Sequence, residues 1–91
     1  ANANAARDLV NAVRARSGAS ALGSVTLDQV LDERGRELYW EGWRRQDLIR
    51  FGKFLNPDEL RTTASPESRL LFPLPAQQLA ANPNLTQNPG Y

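Results

Sequence analysis

The residue pattern predicts an all-α protein that closes in an irregular, extended tail, and three observations carry that reading. Ala6, Leu9, Val10 and Val13 recur at i, i+3, i+4 and i+7, the stripe of one helix face. Thr26 stands three residues before Gln29, the spacing of a capping box, and Leu27, Val30, Leu31 and Leu38 then continue an apolar face. The stretch LLFPLP (70–75) carries two prolines, which favour extended backbone over helix.

The first helix is expected over about residues 4–16. Arg14 and Arg16 suit its negative C-terminal end, and Gly18 is a natural cap beyond it. SGASALGS (17–24) is small and polar, a loop. A second helix is expected from 26 to about 41, where Gly42 weakens or kinks the pattern. A third follows over about 43–51 and ends at Gly52. Its apolar residues Trp43, Leu48, Ile49 and Phe51 spread around the axis, so more than one side of it should be covered. Residues 56–69 (NPDELRTTASPESR) form a polar loop. In the tail, 70–91, Ala76 to Ala81 can form a short helix behind Pro75, and Pro83 stops it. The final NPNLTQNPGY has no period and is expected either to lie along a surface, pinned by Leu85 and Tyr91, or to be disordered.

Composition narrows the chemistry. Ninety-one residues make one domain or part of one, and a lone chain of this size buries only about 60–65% of its unfolded surface. The absence of cysteine and histidine removes thiol nucleophiles and the commonest general base and metal ligand. No cofactor or metal is expected. Eleven basic against ten acidic residues give a net charge of +1, which argues against a nucleic-acid binder. No apolar run approaches the roughly 20 residues of a membrane span. The opening ANANAARDL starts in a helical pattern without Met and reads as a cut end of something longer.

The informative stretch is ERGRELYWEGWRRQDLIRFGKF (33–54). It holds five of the seven aromatic residues among six basic and four acidic ones. On a continuous helix Arg34, Glu41 and Arg45 would share the arc of Leu27, Val30, Leu31 and Leu38. Charges on a core face are buried only as a hydrogen-bonded set. Glu41 stands four before Arg45, and Glu37 can reach back to Arg34. The reading is therefore a structural ionic core of Arg34, Glu37, Glu41, Arg45, Asp47 and Arg50, with the aromatics packed between helices. A catalytic role for Glu33, Glu37 or Glu41 is disfavoured, because they share one helix face and neighbouring arginines keep them ionised. A single-strand stacking role for Arg44, Arg45 and Arg50 is disfavoured too, since acids sit beside each basic cluster and Leu48 and Ile49 need a core.

LDERGRELYWEGWRRQDLIRFGKF resembles the C-terminal signature of the SusD/RagB family, typically ER-x-EL-x-x-EG-x-R-x-x-DL-x-RWG. LLFPLPAQQLAANPNLTQNPGY is similar to that family's closing segment, and NAVRARSG to the helix before the loop. Phe51, Leu74 and Gly35 depart from the usual Trp, Ile and Arg or Ala; a mid-helix Gly35 costs up to about 1 kcal/mol unless a neighbour packs close. The resemblance implies a helical, tetratricopeptide-related superhelix and a C-terminal piece of a longer protein. It also implies a non-enzymatic, glycan- or nutrient-binding lipoprotein at the outer membrane and cell surface, anchored by a lipid outside this chain. The implied partners are a SusC-like TonB-dependent transporter and a glycan held mainly by the rest of the protein. The matched positions, among them Glu33, Arg34, Arg45 and Asp47, are implied to be architecture. The alternative is an independent helical module that oligomerises.

Overall fold

The computed structural model describes residues 2–91, all helical or irregular, with no strand among them. The chain divides into two compact units between Phe51 and Gly52.

The first unit holds three helices: α1 (Ala3–Arg16), α2 (Leu27–Glu37) and α3 (Arg44–Arg50). Asn2 caps α1 by accepting from the N–H groups of Asn4 and Ala5. The loop that follows is tied back by side chains. Asn11 donates to the Leu22 carbonyl at 2.9 Å and accepts from the Leu22 N–H at 2.8 Å, while Arg14 donates to the Ser20 carbonyl. That clamp delivers the chain to Thr26, whose hydroxyl accepts from the Gln29 N–H while the Gln29 side chain accepts from the Thr26 N–H. The capping box is complete.

Helix α2 packs against both α1 and α3. Leu31 is the only buried apolar residue among those described; Val10, Val13, Val30, Leu38, Leu48 and Ile49 are half-buried around it. The apolar stripe of α1 is only partly used, because Leu9 stays 72% exposed.

Two boundaries correct the sequence reading. Helix α2 stops at Glu37 rather than near 41: its last turn closes with the Leu38 N–H on the Arg34 carbonyl, and a separate turn joins the Glu41 N–H to Leu38. Trp40 and Gly42 then take φ of 65° and 78°, left-handed values that no α-helix continues through. Helix α3 accordingly spans 44–50, one residue shorter at each end than expected.

The second unit contains a 3₁₀ turn (Glu67–Leu70) and one short helix, α4 (Ala76–Ala81), which starts just after Pro75. Most of it is irregular chain held by side chains. Asp58 accepts from the Leu60 and Arg61 N–H groups, and Arg61 donates to the carbonyls of Phe54 and Asn56 and to the Ser65 hydroxyl.

The tail is pinned along 71–74. Gln87 accepts from the Leu74 N–H at 2.7 Å and donates to the Leu74 carbonyl at 2.9 Å. Asn88 donates to Phe72, and the Tyr91 hydroxyl to Leu71. Gly90, at φ 89°, approaches Ser68 so closely that an added Cβ would lie 2.6 Å from the serine Cβ. Tyr91 thus anchors the end as expected. Leu85 is 38% exposed, and the hydrogen bonds that hold the end come from Gln87, Asn88 and Tyr91.

Candidate functional site

Two carboxylates of the charged stretch are buried, and each is shared by two arginines. Asp47, 2% exposed, accepts from Arg34 Nε at 2.8 Å and from Arg50 Nη2 at 2.6 Å, so it fastens α3 to α2. Glu33 accepts at Oε2 from Arg14 of α1 and from Arg36, each at 2.8 Å, and so fastens α2 to α1. The Arg34 hydrogen bond is the main reason the Asp47 carboxyl lies below its ordinary range, with burial opposing it. For Glu33 the Arg36 hydrogen bond leads, again against burial. Acids held ionised in this way are poor general acids.

Of the six residues expected in one ionic core, the structure joins Arg34, Asp47 and Arg50. Glu37 does not reach back to Arg34; it meets Arg16 of α1 in an exposed pair. Glu41 lies exposed on the turn after α2, and Arg45 is half-buried on α3. The helical register that placed them on one arc needed a helix through 38–43, and the left-handed residues interrupt it.

The arginine that packs back on α2 is Arg44. It donates to the Leu31 carbonyl at 2.7 Å, stands 3.9 Å from Asp32, and lies across Gly35, where a Cβ would come within 2.7 Å of Nη1. The helix-weakening glycine thus makes room for a guanidinium. Arg14 and Arg36 were missed as partners of a buried acid, and Glu33 was expected as architecture only through the family resemblance. The available signal was that Arg14 falls four residues after Val10, on the buried face of α1.

The aromatics depart from expectation only in part: Phe51 and Phe54 are half-buried, and Trp43 is exposed. Instead of packing between helices, Tyr39 and Trp40 are 75% and 88% exposed, and their rings meet edge-on with centroids 6.3 Å apart. Trp40 is held in a left-handed conformation that costs a non-glycine residue on the order of 1–2 kcal/mol. An open groove of about 810 Å³ runs beside this turn, lined by Asp32, Gly35, Leu38, Trp40 and Arg44 among others. A narrower apolar groove of about 220 Å³ lies between α1 and α2, lined by Leu9, Val10, Val13, Val30 and again Leu38. Among the described residues no group of His, Cys, Asp or Glu is placed to hold a metal ion, and no helix is long and apolar enough to cross a membrane.

Comparison with known proteins places this geometry. The chain is 33% identical to the starch-binding protein SusD of Bacteroides thetaiotaomicron over 91 residues, covering 90% of this chain and 16% of that protein. Surface glycan-binding protein A of the same species superposes with a TM-score of 0.75 at 35% identity, over 92% of this chain and 19% of that one. The protein of that name from Bacteroides uniformis gives 0.77 at 34%, over 91% and 21%. A complex of the B. thetaiotaomicron protein with laminarihexaose gives 0.72 at 35%, over 91% and 19%. The chain therefore spans about a fifth or less of the length of these relatives. The model of the SusD family matches residues 1–91, end to end, and the chain belongs to that family.

Proposed function

We propose that the chain is the C-terminal portion of a non-enzymatic, SusD-like glycan-binding lipoprotein at the outer-membrane surface. In this reading the parent protein works with a SusC-like TonB-dependent transporter in polysaccharide or other nutrient uptake. The observation that carries the proposal is the superposition on surface glycan-binding proteins at 34–35% identity, one of them bound to laminarihexaose. The closing NPNLTQNPGY, similar to the family's own ending, supports the C-terminal placement. The chemistry of the segment agrees with a scaffold rather than a reagent: both buried acids are saturated by arginines. The Arg34–Asp47–Arg50 and Arg14–Glu33–Arg36 groups set helix geometry, and the glycan is held mainly by the rest of the parent protein.

The test is titration calorimetry of the full-length protein with soluble starch, laminarin and a mannan, with chromatography of each glycan after incubation. Saturable binding to at least one glycan with unchanged chain length is expected. Absence of binding to all, or release of shorter sugars, would remove the proposal. Co-purification with a large outer-membrane barrel from detergent extracts is expected for the transporter partnership.

A further inference from the structure

The Trp40 turn presents the largest exposed apolar group of the first unit on a backbone that resists the conformation it takes. Such strain persists where a contact elsewhere uses the side chain it positions. Leu38 lines both grooves, so the apolar lining runs from Leu9 and Val13, between α1 and α2, to the Trp40 ring.

Most charges beside this surface already have partners. Glu33 holds Arg14 and Arg36, Glu37 meets Arg16, Arg34 holds Asp47, and Arg44 donates to Leu31. An ionic ligand would have to displace these partners, whereas an apolar surface would not. The relatives of this chain are about four to six times its length, which supplies an occupant.

We infer that Trp40, with Tyr39 and the α1–α2 groove, is the anchor by which this segment docks onto an apolar face of the preceding part of the same polypeptide. The inference rests on the reading that the chain is one portion of a longer SusD-like protein. Full coverage of a Trp ring removes roughly 150–250 Å² from water, which makes it the dominant contact of such a joint.

Hydroxyl-radical footprinting of the wild-type full-length protein, read by peptide mass spectrometry, tests this directly. Trp40 should be oxidised at least about tenfold more slowly than in the urea-unfolded protein. Trp40→Ala should lower the melting temperature by several degrees, and Trp40→Phe should recover most of that loss. If the alanine variant does not fold, the wild-type footprint decides alone. Oxidation of Trp40 at the unfolded rate would overturn the proposal. So would protection that appears only when laminarihexaose is added, which would make the ring a sugar platform, or only at concentrations where the protein self-associates. Glycan binding measured on the same sample separates the two readings: a protected Trp40 in a protein that binds no glycan would leave the docking surface and remove the proposed function.

Discussion

Residues 2–51 and 52–91 solve the same problem, saturating polar groups with little apolar core, in opposite ways. In the first unit the helices satisfy their own backbone, so arginines and acids pair with one another across helices: Arg14 and Arg36 on Glu33, Arg34 and Arg50 on Asp47. In the second, prolines and irregular chain leave peptide groups without regular partners, and the side chains turn to the backbone instead. Gln87 brackets Leu74, Asn88 and Tyr91 reach Phe72 and Leu71, and Arg61 gathers two carbonyls. The α1–α2 loop of the first unit obeys the second rule, with Asn11 bracketing Leu22 as Gln87 brackets Leu74. Backbone periodicity therefore decides what the side chains are free to do.

The comparison can be broken most decisively at Arg34. Arg34→Ala leaves Asp47 buried with only the more exposed Arg50, and a calorimetric scan of the full-length protein should show a melting temperature lower by on the order of 5 °C. A double Arg34→Met, Asp47→Leu variant should regain most of it; a single variant that melts unchanged would mean the pair is solvated. Acid sharpens the same point. Asp47 and Glu33 have folded pKa values below their ordinary 3.8 and 4.5, so their stabilisation is complete above that range. It is lost as pH falls below it towards the folded values, because the unfolded chain then binds the protons first. Denaturant midpoints at pH 6 and pH 3 should differ less in Asp47→Asn than in wild type, once each is referred to its own value at pH 6.

In the second unit, Gln87→Ala removes both bonds to Leu74 and should cost about 1–2 kcal/mol. Amide exchange should report it as faster opening of residues 71–91 with helices α1 to α3 unaffected, whereas exchange rising equally in α2 would show the units to be one cooperative block. The smallest effect is expected at Gly35. Alanine gains up to about 1 kcal/mol of helix propensity but pushes the Arg44 guanidinium off Leu31, so Gly35→Ala should change stability by less than about 1 kcal/mol. In an Arg44→Ala background the same substitution should become clearly stabilising, and a double-mutant cycle measures the difference.

Helix α1 was legible because its cap, stripe and basic last turn lie within fifteen residues, and α2 because Thr26 and Gln29 mark its start. The end of α2 was not, since leucine at 38 suits the helix pattern and nothing local demands that Trp40 turn left-handed. From that one misplaced boundary came the wrong arc for Glu41 and Arg45 and the place between these helices assigned to Tyr39 and Trp40. The importance of Gly35 was visible as a cost without a visible cause. The cause is Arg44, nine residues away in sequence and in contact only after the chain reverses at Gly42.

By itself the sequence determined the helical class, the capping box, the exposed polar loop and tail, and the presence of an arginine–carboxylate set. All of these follow from spacings of a few residues that local backbone geometry converts directly into structure. Only the tertiary structure decided which arginine meets which acid, that Glu33 shares the role of Asp47, and that Trp40 turns away from α1, α2 and α3. Those outcomes depend on distances between helices, and a single reversal of the chain changes all of them at once.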